Sequence, residues 1–508
     1  MGRQEEIVKE RIKRLEELKK TGVNPYPQNF EPKDKSSELQ EKYSKLKSGE
    51  KTAYKTKIAG RLMNFRDFGK IAFGVLQDGK GKIQITLQKE ETPNKTGEFF
   101  RKFVDVGDII GIEGKVHRTE RGELSVLVNK VDILSKAVLP LPEKWHGLQD
   151  KEERYRKRYL DLMMNPESKK VFETREKIID IMRTLLKEKG FNEVETPLLQ
   201  TVYGGASAAP FKTHLNALDI GLFLAISPEL YLKRLIVGGF DRVFTITRNF
   251  RNEGIDFTHN PEFTMMEYYA AYKDYEFHME FTEEFFKRLI KELKLPEKIE
   301  YRGKSINIKP PFKRVTFRDL IFKETGIDIN KVNDFQKLRK EIISKKLEGV
   351  NVQGTIHYGE LLDEMYKRVV RPKIIQPTFL THYPVEMIAL AKRNEKDTSK
   401  INSVQLIVDG AEMLKAYDEL NDPFDQEMRL KEQQELLQKG ATEAMPLDED
   451  FITALKYAMP PTAGYGMGID RLTMLLTGQE SIRDVILFPF MKPEENKEDK
   501  NDGNNNKK

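Results

Sequence analysis

Residues 248–275 read RNFRNEGIDFTHNPEFTMMEYYAAYKDY. An apolar run from Asp241 to Thr247 precedes a charged loop, and a second extended run follows it, so the pattern is strand, charged loop, strand, with Arg251 held in the core of the motif. Upstream, GFNEVETP (190–197) follows an amphipathic helix and leads into a strand ended by Pro197. Downstream, GYGMGIDRL (464–472) is a Gly-rich strand that delivers one arginine, Arg471, into a helix.

Around these blocks, helical runs such as Glu173–Lys189 and Phe281–Leu295 alternate irregularly with strand-like runs such as Val404–Val408. Without regular βαβ spacing this predicts an α+β domain, to about residue 492, and not a doubly wound one. No G-x-G-x-x-G or G-x-x-x-x-G-K-[ST] pattern follows a strand, which disfavours Rossmann and P-loop nucleotide sites.

The N-terminal part reads differently. Lys57–Met63, Ile71–Leu76, Ile83–Leu87, Ile109–Val116 and Leu124–Ile133 are five short strands separated by Gly and Asp turns, which predicts a small closed barrel of OB-fold type. Before it, Val8, Ile12, Leu15 and Leu18 form one stripe of an amphipathic helix over residues 4–20. That helix is either a cap on the barrel or a basic arm for RNA, and its five Glu residues favour the cap. The expected boundaries are an N-terminal extension at 1–50, the barrel at 51–138, a Pro-bearing linker at 139–165, the α+β domain at 166–492 and a disordered polar tail at 493–508.

Composition narrows the chemistry. The 508 residues carry 87 Lys and Arg against 81 Asp and Glu, a net charge of +6 that does not by itself predict nucleic-acid binding. With no cysteine there is no disulfide, thiolate zinc site or cysteine nucleophile, and the seven histidines show no metal-binding spacing. Any metal is then expected to be a hard ion such as Mg2+, held by carboxylates and substrate phosphates. No window reaches the length of a membrane span and no signal-peptide core is present, so a cytoplasmic protein is expected.

The three blocks resemble motifs 1, 2 and 3 of class II aminoacyl-tRNA synthetases. RNEGIDFTHNPEFTMMEYYAAYKDY (251–275) and PELYLKRLIVGGFDRVF (228–244) are similar to the bacterial and eukaryotic lysyl enzymes, and not to their aspartyl and asparaginyl relatives. The resemblance runs from about residue 53 to 492. It implies activation of L-lysine by ATP, transfer to the terminal adenosine of tRNA(Lys), and a homodimer joined through motif 1. It also implies an antiparallel catalytic sheet.

The resemblance assigns Arg251 to bridge the amino-acid carboxylate and the α-phosphate, a task that suits a rigid two-pronged cation. Phe263 and Arg471 are expected on the two adenine faces, with Glu253 and His259 lining the ATP site. Glu229, Glu267 and the backbone of Gly205 are assigned to the α-amino group of lysine, and Tyr269 and Glu419 to its ε-ammonium, with Tyr417 as a wall for the aliphatic stem. An ammonium leaving water must meet a carboxylate, so the assignment makes physical sense. On the barrel, Phe73 is the base-stacking candidate, and Arg61, Gln77 and Glu123 are hydrogen-bonding candidates for a uridine-rich anticodon.

Four positions depart from the family pattern. Ala209 and Ala225 stand where arginines are usual. Lys415 replaces an asparagine that helps hold the substrate carboxylate, and supplies a compensating cation. Gln405 replaces an acidic Mg2+ ligand, leaving Glu412 as its partner. The departures bear on rate, metal dependence and substrate choice more than on fold. They keep two rival readings open, a non-catalytic RNA-binding homologue and an enzyme for another amino acid.

Overall fold

The computed structural model describes residues 2–142, 148, 150–441 and 443–494. The expected tail lies outside the described residues from position 495 onward, as do residues 143–147 and 149 of the expected linker. The chain forms two compact units, residues 1–147 and 148–508.

The first unit is a closed five-stranded barrel. Its strands are β1 (Lys51–Asp67), β2 (Ile71–Gln77), β3 (Lys82–Gln88), β4 (Ile109–Arg118) and β5 (Leu124–Ser135), in the ring order β1-β2-β3-β5-β4. Alternation sets the faces: Ala72 and Leu76 of β2 and Ile83, Ile85 and Leu87 of β3 fill the interior, while Phe73, Val75 and Gln77 point outward. The helix Arg3–Lys20 docks on the barrel, with Leu18 entering its core. Ile12, expected on the apolar stripe, is 40% exposed. Arg11 takes the buried position instead, and its guanidinium donates to the carbonyls of Val106, Ala137 and Leu139. The cap reading therefore fits the packing, and the helix is fastened by hydrogen bonds as well as by apolar contact.

The second unit is built on an eight-stranded sheet. Its strands are introduced in chain order as β6 (Asn192–Glu193), the small three-stranded group β7 (Leu199–Gln200), β8 (Lys212–Leu215) and β9 (Ile220–Leu224), then β10 (Arg242–Phe250) and β11 (Glu262–Ala271). A hairpin follows, β12 (Lys298–Tyr301) and β13 (Lys304–Asn307), and then β14 (Lys313–Thr316), β15 (Thr378–Thr381), β16 (Ser403–Val408), β17 (Ala411–Asp418) and β18 (Thr462–Gly468). The sheet order is β14-β15-β16-β17-β18-β11-β10-β6. Neighbours are antiparallel through the centre, and parallel pairs occur only at the edges, β14 with β15 and β6 with β10. The strand of the first block ends at Glu193, four positions before Pro197.

One face of this sheet is dry. Tyr268 and Met266 of β11, Tyr465 and Met467 of β18, and Leu414 and Ala416 of β17 pack beneath the long helices Pro166–Glu188 and Tyr275–Leu293. The stretch expected to be a linker is ordered from Asp150. Its helices Lys151–Arg156 and Arg158–Met164 belong to this unit, because buried Arg158 pairs with Asp161 at 2.7 Å and donates to the carbonyls of Arg483, Ile486 and Leu487. Among the described residues no helix is long and apolar enough to cross a membrane.

Candidate active site

The opposite face of the sheet is the floor of a cavity of about 630 Å³. The two-residue period explains the floor. Phe263, Met265, Glu267 and Tyr269 of β11, Gly464, Gly466 and Gly468 of β18, and Lys415 and Tyr417 of β17 all line it, while their sequence neighbours face the dry core. A register shift between β16 and β17 pairs Ile407 with Glu412 and Leu406 with Leu414, so Met413 is the extra residue and Glu412 turns to the same side as Lys415. The structure thus brings together Gly205, Glu229, Arg251, Glu253, His259, Phe263, Glu267, Tyr269, Gln405, Glu412, Lys415, Tyr417 and Arg471, with Glu419 immediately behind Gly464.

Arg251 stands where β10 enters the charged loop. Its amide donates to the Pro261 carbonyl at 2.9 Å, one guanidinium nitrogen reaches the Ile226 carbonyl at 3.5 Å, and its buried Nε has no partner. The guanidinium lies 5.0 Å from the centre of the Phe263 ring. Burial lowers its pKa against the pull of Glu253 and Glu267, yet an arginine remains a cation there. Asp470, next to Arg471 in the chain, is fixed by its carboxylate, which accepts from Arg175 at 2.5 Å and from the Thr264 amide at 2.7 Å. Arg471 itself donates to the Glu412 carbonyl at 3.0 Å and lies 3.1 Å from His259 Nε2. Within the loop, burial pushes Asp256 up, but hydrogen bonds from Thr258 and His259 outweigh it and bring its pKa to about 2.

The acids sit at the other end of the cavity. Glu229, Glu267 and Glu419 are 3%, 5% and 1% exposed, so none is an ordinary surface carboxylate. Ser227 Oγ donates to Glu267 at 3.1 Å and accepts the Glu229 amide at 3.1 Å, joining the two acids through one hydroxyl. Burial, with Glu229 adding to it, raises the pKa of Glu267 to about 8 against the Ser227 hydrogen bond and Arg251. Two glycines keep the space open. Gly205 has φ +86°, and a Cβ there would lie 2.7 Å from Glu229 Cβ; a Cβ on Gly464 would fall on Glu419 Oε1 and within 2.6 Å of the Tyr269 ring. Glu419 Oε1 is buried without a hydrogen-bond partner.

Sequence reasoning missed several members of the site. The Tyr417 hydroxyl donates to Glu229 at 2.9 Å, so Tyr417 is more than a wall. Lys233, fully buried, donates to Glu229 at 2.7 Å and is ion-paired with Glu419. The signal was available: Glu229, Leu232, Lys233 and Ile236 form an i, i+3, i+4, i+7 stripe, with a lysine in its middle. Arg302, Lys367 and Arg371 add cations to the lining near Arg471.

The four departures lie at or beside the cavity. Ala225 is buried, and the Ala209 carbonyl accepts the Asn252 amide at 2.8 Å. Gln405 pairs across the ladder with Lys415, and its Oε1 accepts the Tyr383 hydroxyl at 2.7 Å. Glu412 is therefore the one carboxylate of the expected metal pair, and among the described residues no three His, Cys, Asp or Glu side chains cluster to hold a metal. What these donors fit is an ion that arrives with ATP phosphates, not one caged by the protein.

On the barrel, Phe73 is half-buried on the outer face, 6.3 Å from Phe68, which is 67% exposed. Arg61 pairs with Gln77 in the β1–β2 ladder, and Gln77 with Lys82 in the β2–β3 ladder. Extending the parallel β3–β5 register two residues beyond Gln84–Ser125 brings exposed Glu123 level with Lys82. All four candidates thus share one surface. Arg61 also donates to the Gly107 carbonyl at 2.7 Å, and burial lowers its pKa against Asp108.

A sheet of this order, with an arginine at the root of the β10–β11 loop and another after β18, defines a class II tRNA synthetase. The family model "tRNA synthetases class II (D, K and N)" matches residues 150–492, and "OB-fold nucleic acid binding domain" matches residues 56–134. Individual relatives narrow the group. The chain is 47% identical over 488 residues to a lysine–tRNA ligase of Carboxydothermus hydrogenoformans, covering 96% of this chain and 98% of that one. It is 46% identical to the lysine–tRNA ligase of Pelotomaculum thermopropionicum over 97% of both chains, and 45% identical to lysine–tRNA ligase 2 of Methanosarcina mazei over 93% and 92%. The chain belongs to the lysine–tRNA ligase family of class II tRNA synthetases.

Proposed function

We propose that the chain activates L-lysine with ATP and transfers it to tRNA(Lys), with the residues in the roles set out above. The lysine carboxylate oxygen attacks the α-phosphorus, pyrophosphate leaves, and the 3′-hydroxyl of the terminal adenosine then attacks the acyl carbon as AMP departs. The first step brings two anions together, so it calls for fixed cations more than for a base. Arg251, with a guanidinium NH lacking a protein partner, supplies one between carboxylate and α-phosphate. Phe263 and Arg471 hold the adenine, and Glu253, His259 and Glu412 line the rest of the ATP site. Glu412, as a charged ligand, and Gln405, as a neutral one, would hold a Mg2+ ion carried by ATP, which would neutralise phosphate charge. Lys415 provides a cation for the substrate carboxylate.

The observation that carries this reading is the buried acid group: three enclosed carboxylates, one with an oxygen left unpaired against the opening made by Gly464. Such a pocket favours a cationic guest, and it rejects uncharged side chains. Glu229, Glu267 and Gly205 take the α-amino end, and Tyr269, Tyr417 and Glu419 the side chain. The barrel surface of Arg61, Phe73, Gln77 and Glu123 reads the anticodon. The reading places the enzyme in the cytoplasm as a homodimer; exposed Leu198, Leu199 and Ile220, near the first motif, supply apolar surface for a two-fold contact. A barrel domain near 51–138 and a catalytic domain ending near 492, which takes in the helices from Lys151 first expected in a linker, belong to the same reading, with a helical extension before the barrel.

Lysine-dependent exchange of pyrophosphate into ATP tests it. Exchange with lysine alone among the common amino acids is expected, and no exchange with any of them would leave the non-catalytic RNA-binding reading in its place.

A further inference from the structure

The internal ammonium of Lys233 has no part in the roles above, yet it lies at their centre. It projects from the helix Glu229–Val237 into the acid group, one turn after Glu229. Its side chain has no exposed surface, and its Nζ lies 5.9 Å from the centre of the Tyr417 ring and 5.8 Å from that of Phe451. Enclosed in this way, the ammonium is a fixed part of the wall. It donates to Glu229 Oε1 at 2.7 Å, while Tyr417 bonds the same carboxylate, so Glu229 is held from two sides. Glu419 is held from one side only: Oε2 is ion-paired with Lys233, whereas Oε1, beside the cavity floor at Gly464, has neither an ion pair nor a hydrogen bond.

We infer that Lys233 is a specificity-determining positioning residue, a resident ammonium that commits one oxygen of Glu419 and aims the other at a second, incoming ammonium. The inference rests on the reading of the pocket as a lysine site and deepens it. The charge pattern agrees. Once all three acids are ionised they face one resident cation, which leaves room for two further positive charges, as many ammonium groups as a diamino acid brings, while the carboxylate of that acid belongs to Arg251. Burial lowers the Lys233 pKa, but Glu229 and Glu419 outweigh it and keep the group an ammonium. Burial already raises the Glu419 carboxyl well above its usual range and Lys233 opposes that rise, so removing the charge would leave Glu419 enclosed without a counter-ion, a state a carboxyl escapes by taking up a proton. A protonated Glu419 would no longer distinguish an ammonium from a methyl group.

The test compares the full-length protein with K233M, E419Q and the double variant K233M/E419Q in pyrophosphate exchange, using lysine and norleucine, which has the same chain without the amine. The unaltered protein is expected to prefer lysine by about 10⁴-fold in kcat/KM. K233M is expected to lower that preference about 100-fold through the KM for lysine, with the KM for ATP within about 3-fold, because an unpaired buried acid protonates. If Lys233 acts through Glu419, the double variant discriminates no worse than E419Q alone. A preference in K233M within about 3-fold of the original, or penalties that add in the double variant, overturns the inference. If K233M does not fold, K233Q carries the same test with an uncharged donor, and unchanged preference there is equally fatal. Absence of lysine-dependent exchange in the unaltered protein would instead remove the functional reading itself.

Discussion

Among the described residues each unit of the molecule buries one lysine against carboxylates, and the two arrangements differ in how completely they are closed. In the barrel unit, Lys136 donates to Asp108 at 2.6 Å, Asp105 at 2.8 Å and the Phe103 carbonyl at 2.7 Å. The other oxygen of Asp108 accepts the Ala137 amide at 2.8 Å, so nothing is left to bind. In the catalytic unit, Lys233 meets the same kind of acids, but Glu419 keeps an oxygen without a hydrogen bond next to an open cavity. Burying charge is costly in both places. A saturated cluster returns that cost as fixed structure, whereas an unsaturated one holds a site ready for a guest. The comparison makes the number of unfilled hydrogen bonds, more than burial or charge, the mark that separates scaffold from pocket.

The largest effect should come from opening the closed cluster. K136M is expected to lower the stability of the barrel unit by about 3–5 kcal/mol, as breaking a buried pair does. A thermal melt would show this, while pyrophosphate exchange per folded molecule stays unchanged. If exchange falls with it, the two clusters are not separable in role. Next in size, R251A should lower kcat/KM for exchange about 10²- to 10³-fold, the usual consequence of losing one aimed donor, with an unaltered circular dichroism spectrum. Normal exchange in that variant would remove Arg251 from the chemistry.

The third prediction uses the acid whose pKa is raised to about 8 by burial and by Glu229. Below that pH Glu267 holds a proton, which must leave before the carboxylate meets the α-ammonium of lysine. Affinity for lysine should therefore rise by up to about tenfold per pH unit from pH 6 and level near pH 8. The unliganded protein should show the opposite trend. An acid with a raised folded pKa costs stability increasingly as pH climbs from its unfolded value toward 8, so melts of E267Q should gain over the original in that window. A lysine KM flat between pH 6 and 8 contradicts the assignment. The smallest effect belongs to the barrel surface, where water screens every contact. F73A should raise the KM for tRNA about tenfold through lost stacking and leave lysine-dependent exchange untouched.

The barrel was largely legible in the sequence because its strands carry a strict two-residue period and closed turns. Each of the five expected strands occurs, though β1 extends over Lys51–Asp67, well past Lys57–Met63, because it pairs with both β2 and β4. Ile12 was misplaced because a helix stripe read by hydropathy alone gives an arginine no place on the packed side, and Arg11 buries its stem while its guanidinium finds three carbonyls. The catalytic floor was legible as motifs, yet its connections were not. The hydroxyl that steadies Glu229 comes from Tyr417, 188 positions away, and Glu412 faces the cavity only because Met413 is an extra residue in the strand pairing. Lys233 was visible as a charge within an apolar stripe, but its meaning depends on Glu419, which no local pattern connects to it.

The most direct test is calorimetric titration of the unliganded protein with lysine and with norleucine at pH 8. The pocket described here predicts saturable binding of lysine and none of norleucine at concentrations about 100-fold higher, as expected where enclosed carboxylates must be met by an ammonium. Equal binding of the two, or binding of norleucine alone, would contradict it.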